Sequence, residues 1–308
     1  MVFQVPAKRK GFSTKEKVII PLTIILFVLF YVFVLYNPQN RVASPSPSSF
    51  KFQPWMSFIP ENTEGFRFSN LTQQVKFPNV FSNSVLLSIK EPQINISLTD
   101  VTYELDIINE TQNNIITTVI ALNKTYLNYV EKIIKDSNPT SVVYGKITLY
   151  KLKTAQLSLQ GETWVPFFGD AWISFFGDAL ILSESGAYAQ EGIKAVYNAA
   201  SSSFFVNDSF KVGYLIASIS ENQLSFSFFQ SGNNTLNVLW EMHSAFNTTE
   251  ITVRNAFYFA SSKDLDSKYQ EFVNGILQKS KKTWVSDNFL VGEFNYPLSE
   301  IRAVLMGL

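Results

Sequence analysis

One apolar run dominates the pattern of this chain. Val18–Tyr36 reads VIIPLTIILFVLFYVFVLY, nineteen residues without a charge. As an α-helix at ~1.5 Å per residue it would span about 28 Å, close to the ~30 Å hydrocarbon core of a bilayer. The pattern predicts a transmembrane helix, with Pro21 tolerated in its first turn. Asn37–Phe52, where Pro38, Pro45 and Pro47 alternate with serines, reads as a stiff polar linker. Beyond it two periodicities take turns. Alternation of apolar and polar residues predicts strands at Gly65–Leu71, Ser84–Ile89, Ile94–Ile108 (with a break at Thr99-Asp100), Ile115–Leu122 and Val142–Leu152. Further strands are predicted at Val212–Ile219, Leu224–Phe229, Leu236–Phe246, Thr249–Ala260 and Trp284–Tyr296. Helical spacing predicts Asn123–Lys135, Ser185–Ala200 and Ser262–Leu277, with a last short helix at Glu300–Met306. Asn123 and Ser185 are the expected caps of the first two.

The order of elements repeats. Two strands, a helix and a strand over Ile94–Leu152 are matched by the same succession over Leu236–Phe294. A shorter echo, Phe167-Phe168-Gly169-Asp170-Ala171 and Phe175-Phe176-Gly177-Asp178-Ala179, reads as a β-meander with Gly-Asp turns. The expected fold class is α+β: a transmembrane helix, then an antiparallel-sheet ectodomain of two related halves with helices packed on one face. The expected divisions are a basic cytoplasmic tail (1–17), the membrane helix (18–36), the linker (37–52), a first half (53–205) and a second half (206–308).

Charge sets the expected orientation. Lys8, Arg9, Lys10, Lys15 and Lys17 precede the run, offset by Glu16 alone, which predicts a cytoplasmic N-terminus and an extracellular C-terminal domain at the cell membrane. A cleaved signal peptide is the rival, but the run exceeds the usual ~7–15 apolar residues. Charged residues are 16% of the chain, against about 25% in ordinary soluble proteins. The net charge is zero and no basic block lies beyond the tail, which argues against nucleic acid as a partner. There is no cysteine, so disulfides, thiolate metal sites and cysteine nucleophiles are excluded.

Lys10-Gly11-Phe12, followed by Glu16 and an apolar helix, resembles the processing site of type IV prepilins. The resemblance implies cleavage after Gly11 and a mature chain beginning at Phe12. Ser13, Thr14 and Lys15, with Lys17 after them, depart from the apolar residues that family carries there. The same residues also read as a capping box, Ser13-x-x-Glu16, that starts the membrane helix. Asn-x-Ser/Thr sequons at Asn70, Asn95, Asn109, Asn123, Asn207, Asn233 and Asn247 are glycosylation candidates. Together with the anchor, low charge and missing cysteines they give the chain a style similar to archaeal N-glycosylated single-pass surface proteins.

Catalytic motifs are scarce. His243 is the one histidine, set among Trp240, Met242 and Phe246 on a predicted strand, and reads as structural. No Gly-x-Ser-x-Gly, H-E-x-x-H, P-loop or G-x-G-x-x-G occurs. Ser48-x-x-Lys51 lies in the linker, Asp170 and Asp178 are turn residues, and Asp264-x-Asp266 is too short for a calcium loop. Trp55, Trp164, Trp172, Trp240 and Trp284 read first as core or sheet-face residues and second as a carbohydrate platform. No catalytic, metal or cofactor residue is nominated and no cofactor is expected. The expected function is a membrane-anchored module that binds or scaffolds at the cell envelope, with the lipid bilayer and an envelope protein or glycan as partners. A pilin-like subunit, and an envelope hydrolase whose carboxylates meet from distant segments, are the alternatives.

Overall fold

The computed structural model describes residues 40–77, 85–109, 115–157, 170–184, 189–199, 204–219, 223–230, 236–245 and 249–300. The chain divides into two units, Met1–Arg41 and Val42–Leu308, and every element below belongs to the second.

Among the described residues fourteen strands form one sheet, antiparallel at every described pairing. They are β1 (Gly65–Ser69), β2 (Val85–Glu91), β3 (Ile94–Ser97), β4 (Val101–Asn109), β5 (Ile115–Leu122), β6 (Thr140–Tyr144) and β7 (Ile147–Leu157). Then follow β8 (Ala171–Phe176), β9 (Ala179–Glu184), β10 (Gln223–Gln230), β11 (Leu236–Ala245), β12 (Glu250–Phe259), β13 (Lys282–Ser286) and β14 (Phe289–Pro297). The order is β13-β14-β12-β11-β10-β1-β4-β5-β9-β8-β7-β2-β3, with β6 beside β7. The helices are α1 (Leu71–Gln74), α2 (Lys124–Asp136), α3 (Ala189–Asn198), α4 (Asp208–Ala217) and α5 (Ser262–Asn274).

Strand alternation sends side chains to two faces, and both are covered. One face carries Phe66, Phe68, Leu105, Phe226, Phe228, Trp240 and Val291, under Ile193 and Val196 of α3 and Ile216 and Ala217 of α4. The 3-10 turns Pro54–Phe58 and Phe204–Val206 add Trp55, Phe204 and Phe205 to this aromatic core. On the opposite face α2 buries Leu127, Val130 and Ile134 against Ile120, Leu180 and Leu182. Further along, α5 sets Leu265 and Tyr269 on Val253, Phe257 and Leu290.

The expected fold class is therefore corrected. The helices lie on both faces of the sheet, not one, because buried rows of both parities run along β5, β9, β12 and β14. Strands dominate, and β1 pairs with β10, so one continuous sheet crosses the expected boundary at residue 205. The transmembrane, single-pass expectation is corrected too. Among the described residues no helix is long and apolar enough to cross a membrane, and Val18–Tyr36 lies outside them.

Three local patterns read differently in three dimensions. Val142–Leu152 and Trp284–Tyr296, each read as a single strand, belong to the hairpins β6–β7 and β13–β14, and the alternation simply continues through their two-residue turns. Gly145 takes φ +57° and Asp287 φ +47°, the left-handed region such turns require. Val212–Ile219, rich in β-formers, lies largely in the helix α4. Asn207 caps it by accepting from Ser209 N at 2.9 Å, and Asp208 sits in its positive first turn. Gly213 is required there, because a Cβ would stand 2.5 Å from Trp240 Nε1. Residues read as linker lie along the sheet unit: Val42 N donates to Val285 O at 2.8 Å, and Phe50 stacks on Phe205 with ring centres 5.2 Å apart.

Candidate functional site

A cavity of about 600 Å³ opens where β1, β4, β10 and α4 meet the 3-10 turn at Pro54–Phe58. Trp55, Phe68, Tyr103 and Tyr214 give it ring surfaces, and Gln53, Asn70, Thr102, Ser218 and Gln223 give it neutral polar groups. None of these lining residues carries a charge at neutral pH. Burial, with the Asp178 carboxylate adding to it, holds the Tyr103 phenol well above its ordinary range. Burial also raises Tyr214, so both phenols stay protonated and can donate.

Two register irregularities build this pocket. Pairing shifts between Gln223 and Ser225 on β10 and between Val101 and Tyr103 on β4. Val101 packs with Ile120 and Leu122, whereas Tyr103, two residues on, packs with the aromatic core. Such a shift re-aims side chains, and here it lets Thr102, Tyr103 and Gln223 converge on one cavity. Gln223 is 8% exposed and its Nε2 has no hydrogen-bond partner. Leaving a buried amide donor unpaired costs roughly 1–3 kcal/mol, which a ligand acceptor would recover.

A second polar array lies on the opposite face. Asn255, Glu241, Ser227, Arg67, Asp106 and Thr118 form one cross-strand row over β12, β11, β10, β1, β4 and β5. His243, Ser225, Ser69 and Glu104 form the row beside it. Ser225 Oγ is 2.6 Å from His243 Nδ1, and His243 Nε2 is 3.1 Å from Glu241 Oε1. That second contact is at ion-pair distance but lacks hydrogen-bond alignment. With its amide nitrogen turned toward Glu241, Asn255 donates to Oε2 at 2.9 Å. Thr118 Oγ1 donates to Asp106 Oδ1 at 2.6 Å.

The carboxyl groups of this array differ. Burial, reinforced by Asp106, drives Glu104 well above the usual carboxylate range despite Arg67, and its Oε1 has no partner. Asp106 is raised by burial too, opposed by the Thr118 hydroxyl and Arg67. Burial also works to raise Glu241, but His243, Arg67 and Asn255 outweigh it and hold Glu241 below its ordinary value. The Glu104 and Asp106 carboxyls interact, yet they stand two residues apart on one strand rather than coming from distant segments.

A raised folded-state pKa means that the native state holds its proton more tightly than the unfolded chain. The stability Glu104 contributes is complete below the unfolded value of about 4.3 and is lost as pH rises through the folded value. Urea unfolding of the wild type and E104Q is expected to show a widening gap from pH 5 to pH 8. E104Q should be the more stable at the upper end, by about 1–3 kcal/mol. A gap independent of pH would show that Glu104 ionises normally.

The residues singled out from sequence fall in varied places. Asn70, Asn123 and Asn207 are N-caps of α1, α2 and α4, each accepting a backbone N–H through its side-chain oxygen. Asn95 is exposed on β3 and Asn109 ends β4, while Asn233 and Asn247 lie outside the described residues. Asp170 pairs with Lys151 at 2.9 Å, and Asp178 sits in the β8–β9 turn. Trp55 reaches the pocket, Trp240 fills the core, Trp284 faces Arg254, and Trp164 lies outside the described residues. The prepilin-like segment Lys10–Glu16 also lies outside them. No group of residues suited to hold a metal ion occurs among the described residues.

Two solved structures align with this chain. Crystal form I of TP0453 aligns with a TM-score of 0.48 at 9% identity, over 83% of this chain and 98% of that one. Crystal form III aligns at 0.49 and 10% identity, over 84% and 99%. No protein-family model and no curated protein matches the chain.

Proposed function

We propose that this chain is a binding module whose pocket holds a neutral, hydroxyl-rich ligand of the glycan class. The observation that carries the reading is a pocket lined by four aromatic rings and five neutral polar residues, among them Gln223, whose buried amide nitrogen has no hydrogen-bond partner. A charged ligand would call for an opposing charge in the wall, and an acyl chain for a wall of apolar groups alone. A sugar matches both halves: its C–H faces lie on rings and its hydroxyls bridge to amide and phenol groups. Binding at a cell envelope, the role expected from the sequence, is consistent with such a ligand.

Isothermal titration of the full chain with a panel of soluble neutral oligosaccharides, including chitotetraose and cellotetraose, tests the reading. At least one is expected to bind, and Q223A should weaken it about tenfold, the equivalent of one hydrogen bond of ~1.4 kcal/mol. No binding across the panel, or equal affinity in Q223A, would count against it.

A further inference from the structure

The polar array on the face opposite the pocket contains the parts of a nucleophilic site. Ser225 and His243 face each other across β10 and β11 with oxygen and Nδ1 2.6 Å apart. When the hydroxyl donates to Nδ1, the ring proton resides on Nε2, which stands 3.1 Å from Glu241 Oε1. Asn255 fixes the other oxygen of Glu241. A hydroxyl and a base within hydrogen-bond reach are the core of nucleophile activation, and the Glu241 carboxylate, at ion-pair distance from Nε2 without a hydrogen bond to it, favours the imidazolium by its charge.

We propose that Ser225 is an activated nucleophile, with His243 as its general base and Glu241 as the nearby charge that favours the imidazolium, and that it accepts the acyl group of a small ester. Ser225 Oγ bonds to the acyl carbon as its proton passes to His243 Nδ1. Arg67 stands opposite Ser227 on β10, the next cross-strand pair on this face after Ser69 and Ser225, and supplies positive charge for the oxyanion that forms. Collapse breaks the bond to the alcohol, which leaves with the proton from His243. Water then attacks the acyl carbon and gives its proton to His243. The carboxylic acid departs as Ser225 regains its own proton.

Access sets the size of the substrate. Ser225 is 3% exposed and His243 4%, whereas Arg67, Asp106, Glu241 and Asn255 in the neighbouring row keep part of their surface open. The half-buried row is the side from which Ser225 can be approached, which restricts the proposed substrate to a small ester. Glu104 and Asp106 share this face beyond Ser69 and Arg67, so their ionisation adds to the pH dependence of the site.

The test treats the full-length folded protein with a small fluorophosphonate, which loses fluoride to an activated serine, and maps the adduct by peptide mass spectrometry. The expected result is one adduct, on Ser225. In H243N the labelling rate should fall about 10²–10⁴-fold, with circular dichroism showing an intact fold. Absence of an adduct on the folded wild type, an adduct on another residue, or a rate unchanged in H243N would overturn the proposal. Mapping in the wild type locates the reacting atom without relying on any variant.

Discussion

Replacing Trp240 with alanine is expected to lower the stability of the domain by about 3–5 kcal/mol, the usual cost of emptying a buried aromatic site. The indole is 1% exposed and lies in the centre of the aromatic core. Six phenylalanines surround it: Phe228 at a ring-centre distance of 4.6 Å, Phe226 at 5.6 Å, and Phe66, Phe204, Phe205 and Phe210 at 6.1 to 6.5 Å. Gly213 of α4 lies flat on the ring, so helix and sheet meet through the indole itself. Removing it leaves a void that the helix backbone cannot fill without shifting. Urea unfolding followed by circular dichroism measures the loss. A change under about 1 kcal/mol, in the range of a surface substitution, would mean that α4 does not seat on Trp240.

Replacing Arg254 with alanine is expected to cost about 3 kcal/mol or more. Arg254 and Glu293 are cross-strand neighbours on β12 and β14, joined at 2.7 Å, with side chains 18% and 14% exposed. The same guanidinium donates to the carbonyls of Ile216 and Ser218 at the end of α4 and lies over Trp284, 5.2 Å from the ring centre. One side chain thus closes an ion pair, satisfies helix-terminal carbonyls and packs on an indole. Its loss strands a largely buried carboxylate. R254A/E293A, which removes both charges, is expected to recover part of the loss, and a double-mutant cycle gives the coupling. Strict additivity of the two single changes would show that the pair contributes nothing.

Legibility in the sequence followed the range of the forces involved. The helix after Asn123 announces itself because its cap and its apolar face are local, and the structure places Asn123 Oδ1 2.9 Å from Thr125 N. The break at Thr99-Asp100 is a 3-10 turn over Leu98–Asp100 for the same reason. The strand assigned to Val212–Ile219 fails because β-formers there pack at helical spacing against Trp240, a tertiary contact that overrides propensity. Glu104 and Asp106 look like solvent-facing residues of an alternating strand. Glu104 is instead buried and Asp106 half-buried, in register with Arg67 and, through Ser69, with Ser225 and His243 more than a hundred residues further along the chain, and no single-sequence signal carries that register. The pocket was invisible for a related reason: it depends on two bulges, and a bulge exists only relative to a partner strand. His243 reads as a structural residue in isolation, and only the pairing of β10 with β11 brings Ser225 to its ring.

Binding of a neutral glycan in the uncharged aromatic pocket should engage Gln223 and the ring of Trp55 together. Nuclear magnetic resonance reads it directly, by following the side-chain amide of Gln223 and the indole N–H of Trp55 while chitotetraose or the tightest neutral oligosaccharide of the panel is added. Both resonances are expected to shift together and saturate at one dissociation constant, while the amide of Gln278, exposed and outside the pocket lining, stays in place. Saturable binding that leaves Gln223 and Trp55 unmoved, or no shift with any neutral glycan, would contradict it.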